Sequence, residues 1–290
     1  MPAADNLKGQ TAHRWKIPSL YLVRGAHLVE DILPYYAEDS LSAMFHDLLA
    51  ELEPGCKGDA AFYLSLLRTS PADILELGCG SGRLSLALSK HGHNVQGIDT
   101  AEAMLRLAKF HRSRLDRGWA QRVSFTTGDM TTFSFPRKFD LIVAPYFALN
   151  HLPSEDAVLS TFTLVAAHLV PGGYFSLHVA DTDRLSRPLE QEAATRATIQ
   201  YDTAGSRLQL DIVERHLDPA TKCCSLVLRY SMISADGAVG RTSSERLTYR
   251  AIEEAELDSF SARAGLCRVG PKVQAGETGY FLTFRNAGTA

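Results

Sequence analysis

The sequence lacks a long uninterrupted hydrophobic run, a block of basic residues and an apolar signal-peptide core. No apolar stretch approaches the roughly 18 residues that a membrane-spanning helix needs, and residues 1–16 are polar. The 30 Lys and Arg against 33 Asp and Glu leave a net charge of −3, which argues against a nucleic-acid backbone as partner. These absences predict a cytoplasmic protein with no membrane and no nucleic-acid partner.

Cysteine is also scarce, with five residues and no CxxC pair. Cys223 and Cys224 are adjacent, so in a strand their side chains point to opposite faces and cannot both ligate one zinc ion. We therefore expect small buried hydrophobic side chains, no disulfide and no metal site. A hydrophobic content of 45% with 22% charged residues excludes an intrinsically disordered chain.

From Pro71 onward the chain alternates short apolar runs with helix-like stretches. This alternation is typical of an α/β fold with a mostly parallel sheet covered by helices. The predicted strands are 73–77, 94–99, 123–127, 139–144 and 174–179. The first 70 residues read as helices with loops, most clearly over 41–52.

The pattern changes after about residue 198. Two alternating strand patterns, 208–217 and 223–233, are separated by Asp218-Pro219, which indicates an antiparallel meander. A helix near 252–264 and strands near 266–269 and 280–284 then resume the earlier alternation. We predict four segments, which are an N-terminal helical cap over 1–70, an α/β core over 71–185, an inserted antiparallel β lid over 186–249 and the C-terminal part of the core over 250–290.

The strongest motif is the glycine-rich stretch that runs from Glu76 to Gly82 and follows the first core strand. Its glycines allow a tight turn and a close backbone approach to a ligand at the carboxyl edge of the sheet. A dinucleotide enzyme would carry GxGxxG, with pyrophosphate on the helix N-terminus. Here the third glycine comes one position early, and an acidic residue beside the turn would repel pyrophosphate. The motif therefore favours a cationic cofactor.

Two acidic residues follow the next strands. Asp99, at the end of the second strand, is placed to accept hydrogen bonds from both hydroxyls of a ribose. Asp129, after the third strand, is placed to accept from an adenine amino group, with Met130 or Met104 packed on the ring. The structural alternatives are a helix cap for Asp99 and a solvated turn for Asp129.

Taken in order, these motifs resemble the class I S-adenosylmethionine-dependent methyltransferases. The stretches that carry the resemblance are ILELGCGSGRLSLAL at 74–88, VQGIDTAEAML at 95–105, GDM at 128–130, FDLIVAPYFALNHL at 139–152 and LVAAHLVPGGYFSLHV at 164–179. The resemblance implies a Rossmann-like sheet of seven strands, the last antiparallel, and S-adenosylmethionine as the cofactor. It also implies that the cofactor contacts Glu76, Gly78, Gly80, Gly82, Asp99, Met104, Asp129, Met130 and the Ala144 backbone.

The inserted meander narrows the resemblance to bacterial small-molecule N- and O-methyltransferases of secondary metabolism, including those that act on aminosugars. In such enzymes a stretch similar to PYFALNHL ends in a histidine that faces the acceptor, and His151 has that place. They also carry Tyr-Asp in an N-terminal helix that folds over the cofactor. The corresponding stretch here is Phe45-His46-Asp47, so the tyrosine is either replaced by His46 or displaced to Phe45. His46 is predicted to contact the cofactor.

Methyl transfer from a sulfonium is an in-line displacement, so the protein mainly aligns and desolvates the reactants. His151 is the first candidate for a base, because imidazole titrates near working pH. A purely structural histidine is an equally weighted alternative. Tyr146 is the second catalytic candidate.

The predicted substrate pocket contains Tyr35, Tyr36, Phe147 and Arg229, with Arg215 and Tyr230 as further residues that reach down from the meander. For each of them, packing or a solvent-facing position is the alternative. We expect a small-molecule methyl acceptor, and the insertion is a candidate surface for a homodimer. A relative that keeps the cofactor but uses the pocket for another reaction or for regulation stays open, since fold does not settle function.

Overall fold

A computed structural model describes residues 31–186 and 196–288 of the chain. Parts of the predicted cap and of the start of the predicted insertion, at 1–30 and 187–195, lie outside the described residues. Within the described ranges no helix is long and apolar enough to cross a membrane.

The described strands fall into two sheets. In chain order they are β1 (Ile32–Pro34), β2 (Asp73–Leu77), β3 (Asn94–Asp99), β4 (Val123–Thr127), β5 (Phe139–Ala144), β6 (Leu169–Ala180), β7 (Arg196–Gln200), β8 (Arg207–Asp218), β9 (Cys223–Ile233), β10 (Val239–Arg250), β11 (Leu266–Arg268), β12 (Val273–Ala275) and β13 (Gly279–Asn286).

The helices connect and cover these strands. They are α1 (Leu41–Met44), α2 (His46–Leu52), α3 (Asp59–Ser65), α4 (Arg83–Lys90), α5 (Glu102–Ser113), α6 (Arg117–Ala120), α7 (Glu155–His168), α8 (Thr182–Ser186) and α9 (Glu254–Arg263). Short 3₁₀ turns occupy Pro54–Cys56 and Ala148–His151.

The larger sheet has the strand order β11-β13-β6-β5-β2-β3-β4, and β12 pairs with β13. Strands β2 to β6 run parallel and β13 runs antiparallel to β6. The predicted α/β fold with a mostly parallel sheet is therefore confirmed. The chain starts this sheet at β2, moves outward through β3 and β4, and then returns to the other side at β5. Such a reversal opens a crevice at the carboxyl ends of β2 and β5, where α/β proteins bind ligands.

Local sequence explains where the helices begin. Ser154 caps α7 by accepting a hydrogen bond from the Ala157 backbone N–H, and Glu155 and Asp156 lie in the first turn, where they complement the helix dipole. Glu253 and Glu256 form a reciprocal capping box at the start of α9. The predicted helix over 41–52 is broken into α1 and α2, because Phe45 leaves the helical conformation.

The smaller sheet has the order β1-β10-β9-β8-β7. Strands β7 to β10 form the predicted antiparallel meander, whereas β1 pairs parallel to β10. The strand β1 corrects the purely helical reading of the first 70 residues. Its three residues are too few to show an alternation, and their partner lies about 200 residues away.

Hydrophobic clusters join these layers. One fills each face of the larger sheet. A third lies under the smaller sheet, where Leu226 and Leu228 of β9 pack with Leu41 and Phe45 from the first helices and with Phe147. The smaller sheet and the first helices therefore share one core above the carboxyl edge of the larger sheet.

Candidate active site

The glycine turn after β2 forms the base of the site. Gly78, Gly80 and Gly82 all have left-handed backbones, with φ of 69°, 52° and 81°. A Cβ atom added at Gly78 would lie 2.8 Å from the Ala148 Cβ, and one at Gly80 would lie 3.2 Å from the His46 Nε2. The missing side chains therefore leave the turn open to a ligand between these neighbours.

Asp99 secures this turn from the end of β3. Its Oδ2 accepts a hydrogen bond from the Gly80 backbone N–H at 2.7 Å, and its Oδ1 accepts from the Ala101 N–H at 2.8 Å. A carboxylate offers about four acceptor positions, so both oxygens retain capacity for a ligand. Burial raises the pKa of Asp99 above its ordinary value, against the effect of these backbone hydrogen bonds.

A cavity of about 360 Å³ opens over the turn, and we call it the first cavity. Its lining brings together ten of the predicted site residues. They are Tyr35, Tyr36, His46, Gly78, Gly80, Asp99, Asp129, Met130, Tyr146 and His151.

Asp129 lies at the exposed end of the first cavity. Its Oδ1 accepts hydrogen bonds from the backbone N–H and the hydroxyl of Thr131, both at 2.7 Å. Its Oδ2 makes no hydrogen bond among the described residues and faces the same cavity as Met130. The pair thus offers one acceptor oxygen beside an apolar thioether, which suits the edge and face of a purine.

His46 closes the first cavity opposite the turn. Its Nδ1 lies 3.2 Å from both Asp47 Oδ1 and Ser81 Oγ, and the Ser81 hydroxyl donates to Asp47. His111 Nδ1 lies 3.6 Å from Asp47 Oδ2. Burial alone would raise the pKa of Asp47, but its hydrogen bonds and charged neighbours hold it below its ordinary value.

A second cavity, of about 380 Å³, lies beside the first and under the smaller sheet. Apolar side chains of β8, β9 and β10 form one wall, including Leu210, Leu228 and Leu247. Charged groups also line the second cavity. They are Glu53, Asp181, Arg184 and Arg215.

Tyr35 and Tyr146 line both cavities and mark the place where they meet. Tyr146 and Phe147 are consecutive residues with left-handed backbones, at φ of 49° and 62°. Each such non-glycine residue costs on the order of 1–3 kcal/mol and persists only when its surroundings require it. Burial raises the pKa of Tyr35 to about 12 and that of Tyr146 well above its ordinary value, so both phenols stay neutral.

His151 ends the 3₁₀ turn that follows this strained pair. Its ring lines the first cavity and lies edge-on to Tyr249, a residue of the second cavity, with ring centroids 4.8 Å apart. Desolvation by the surrounding protein lowers the pKa of His151 to about 4. The imidazole is therefore neutral near pH 7 and available as a proton acceptor.

Glu76, in contrast, lies outside both cavities. Its carboxyl group is 2% exposed and accepts a hydrogen bond from the Ser85 hydroxyl of α4. Burial raises the pKa of Glu76 to about 8. The side chain holds β2 against α4 in its protonated form, so the structure does not bring it to the predicted ligand.

Three other predicted cofactor contacts lie behind the cavity wall. Gly82 begins α4 and faces the core, where a Cβ would lie 2.6 Å from the Phe125 Cζ. Met104 is fully buried, and its Cε lies 3.6 Å from a Cβ built at Gly80. Ala144 is fully buried at the end of β5. These residues support the turn from below.

The structure corrects the placement of Arg229. Leu228 and Tyr230 line the second cavity, and because side chains alternate along a strand, Arg229 lies exposed on the outer face of β9. Arg215 lines the second cavity, because a register shift between Ile212 and Glu214 turns its side chain to the inner face of β8. Phe147 lines the second cavity, as predicted for the substrate pocket.

Sequence reasoning missed several residues of the second cavity. Asp181 directly follows the end of β6. An acidic residue at the carboxyl end of a parallel strand is a candidate site residue, so the sequence did contain a signal for it. The place of Glu53 could not be read from local sequence, because its carboxylate accepts a hydrogen bond from the hydroxyl of Thr278, more than 200 residues away. Within the described ranges, no group of three His, Cys, Asp or Glu residues has the geometry to hold a metal ion.

Comparison with known proteins agrees with this geometry. Residues 74–173 match the family described as "Methyltransferase domain". The cypemycin N-terminal methyltransferase of a Streptomyces species is 27% identical over 184 residues, which are 60% of this chain and 71% of the relative. A ubiquinone biosynthesis O-methyltransferase of Pseudomonas aeruginosa is 35% identical over 86 residues, 30% of this chain and 36% of the relative. The chain spans less than half the length of several of the curated relatives it matches.

Solved structures share the fold over most of the chain. The CcbJ methyltransferase from Streptomyces caelestis superposes with a TM-score of 0.69 at 20% identity, covering 88% of this chain and 99% of that one. CalS10, an amino pentose methyltransferase from Micromonospora echinaspora solved with S-adenosylmethionine bound, gives a TM-score of 0.59 at 23% identity, covering 83% and 91%. At these identities the likeness shows the fold.

The segment that holds the glycine turn, Asp99 and Asp129 is therefore a methyltransferase domain.

Replacement of Glu76 by Gln tests the buried carboxyl group. The folded protein holds this proton up to a pKa of about 8, whereas the unfolded chain releases it near 4.5. The wild type should lose free energy of unfolding as the pH rises through this window, by at most about 1.4 kcal/mol per pH unit. Denaturant unfolding should show a flatter pH profile for Glu76→Gln, and the exposed Glu51→Gln should follow the wild type. Equal slopes for all three proteins would contradict this reading.

Proposed function

We propose that this chain is an S-adenosylmethionine-dependent methyltransferase that methylates a small molecule. The observation that carries the proposal is the meeting of two cavities at Tyr35 and Tyr146. The first cavity has the acceptor groups and open glycine turn that fit the cofactor, and the second has room for a methyl acceptor. The amino pentose and peptide substrates in the names of similar proteins support a small-molecule acceptor.

The first cavity fits the cofactor through three groups. Asp99 has acceptor capacity left for ribose hydroxyls, and the Asp129 Oδ2, which makes no hydrogen bond within the described part of the chain, can accept from an adenine amino group. The glycine turn supplies room, because a Cβ at Gly78 would already touch Ala148. When bound, the cofactor supplies a methyl group on a sulfonium and leaves as a neutral thioether.

The smaller sheet acts as a lid over the acceptor. Strands β8 to β10 supply much of the wall of the second cavity. The apolar and charged residues that line this cavity suit an acceptor with both apolar and charged parts. This role is consistent with the division into a cap over 1–70, a core over 71–185, an inserted lid over 186–249 and a core segment over 250–290. A homodimer through this insertion stays a prediction.

The residues at the junction align the acceptor and exclude water. Burial keeps the phenol of Tyr146 neutral, so it can orient an acceptor as a hydrogen-bond donor. His151 faces the first cavity as a neutral imidazole and takes the proton that an acceptor nitrogen or oxygen releases on methylation. Because the pKa of His151 is about 4, the acid limb that it causes lies near pH 4.

Binding of S-adenosylhomocysteine to Asp99→Asn tests the cofactor site. The amide keeps one acceptor oxygen but loses the charge, so we expect Kd to rise about 10- to 100-fold by isothermal titration calorimetry. The matched control is Asp116→Asn, since Asp116 is exposed and makes no side-chain cap hydrogen bond. A wild type that is folded by circular dichroism and does not bind would contradict the proposal.

His151→Gln tests the assignment of the base. Small amines and hydroxyl compounds are first screened with labelled S-adenosylmethionine to identify an acceptor. We then expect kcat to fall about 10²- to 10⁴-fold while the Kd for S-adenosylhomocysteine changes little, because only the proton acceptor is lost. His216→Gln, an exposed histidine of β8, serves as control. Unchanged kcat would return His151 to a structural role.

A further inference from the structure

The cofactor of the proposed function carries a carboxylate on its amino-acid end, and a positively charged donor is a strong partner for such a group. Lys and Arg are absent from its described lining. The lining groups that can carry a positive charge are the imidazoles of His46 and His151. Because the pKa of His151 is about 4, that ring is neutral near pH 7.

His46 differs from His151 because a carboxylate lies behind its ring. Its Nδ1 faces Asp47 and Ser81 at 3.2 Å, with Asp47 as the acceptor. This arrangement places the hydrogen on Nδ1 and turns Nε2 toward Gly80 and the cavity. The residue is only 7% exposed, and Nε2 has no hydrogen-bond partner among the described residues. A polar atom that has no protein partner and faces a cavity is available for a ligand contact.

We propose that His46, oriented by Asp47 and Ser81, binds the cofactor's carboxylate as an imidazolium and makes cofactor affinity depend on pH. This inference rests on the proposed function. A neutral His46 with its hydrogen on Nδ1 presents only a lone pair to the cavity, which repels a carboxylate. Protonation adds a donor at Nε2, and Asp47 stabilises the resulting charge.

The other groups that face His46 do not compete for this role. Tyr36 and Tyr146 lie with their rings 5.4 Å and 5.8 Å from that of His46, and burial raises the pKa of both phenols well above its ordinary value. Asp99 lies across the turn and is held by backbone N–H groups. His111, from α5, faces Asp47 and the Ser81 carbonyl rather than the cavity lining.

The direction in which cofactor affinity changes with pH follows from the proton that the imidazole takes up. If the carboxylate binds only the imidazolium, binding is coupled to proton uptake, and affinity falls as the pH rises through the range where imidazole deprotonates. A ligand without the carboxylate does not sense this proton.

Two ligands test whether the pH dependence comes from the carboxylate. S-adenosylhomocysteine carries the amino-acid end, and 5′-deoxy-5′-methylthioadenosine has the same nucleoside without it. Between about pH 6 and about pH 8, we expect the wild type to lose affinity for the first ligand and not for the second. Calorimetry in buffers of different ionisation enthalpy should show proton uptake with S-adenosylhomocysteine alone.

His46→Gln keeps a neutral polar group near the Nε2 position. We expect it to weaken S-adenosylhomocysteine binding about 10- to 100-fold near pH 6, to abolish proton uptake and to leave methylthioadenosine binding unchanged. Asp47→Asn should move the pH midpoint downward, because the imidazolium loses its partner. This second variant keeps the test informative if the first does not fold.

The outcomes distinguish the inference from the proposed function. If the folded wild type binds neither ligand, the proposed function fails. If it binds both but His46→Gln weakens them equally, or if proton uptake persists in that variant, the role of His46 is wrong and the cofactor site stands.

Discussion

The carboxylate of Asp99 is the interaction on which the site depends, because it joins two strands of the larger sheet at their carboxyl ends. It holds the Gly80 N–H of the turn after β2 and the Ala101 N–H at the start of α5. The Cys79 N–H adds a hydrogen bond to the Ile98 carbonyl of β3 at 2.9 Å. These bonds fix a turn of left-handed glycines that would otherwise have many conformations. Arg83 then anchors α4 to Asp59 of α3, with Nη1 2.9 Å from Oδ1.

The second cavity depends on elements distant in sequence. The smaller sheet would leave an apolar face open without the first helices, and together they bury Leu41, Phe45 and Leu226 in one cluster. The strained backbone at Tyr146 and Phe147 places one ring at the junction and the next under the smaller sheet. The two cavities therefore meet beside the ring of Tyr146.

The core of the fold was predictable because its signals are local. Each parallel strand is a short apolar run followed by a turn or a helix cap, and the glycine turn and Asp99 occur where such runs end. Ten of the residues singled out from the sequence line the first cavity, although Tyr35 and Tyr36 were expected in the substrate pocket.

The remainder could not be predicted from local patterns. The strand β1 is too short to show an alternation, and its pairing with β10 is non-local. The register shift in β8 turns Arg215 to the inner face, and nothing in the alternation of β8 marks it. Glu76 lies in the same motif as the predicted ligand-binding residues, but it makes a buried hydrogen bond with Ser85. The sequence of the motif does not distinguish such a structural residue from one that contacts a ligand.

A crystal structure of the protein with S-adenosylhomocysteine tests the central claim most directly. The account predicts the ribose hydroxyls on Asp99, the adenine beside Asp129 and Met130, and the sulfur directed toward Tyr146 and the second cavity. A ligand bound away from the glycine turn, or one whose sulfur points away from the second cavity, would contradict it.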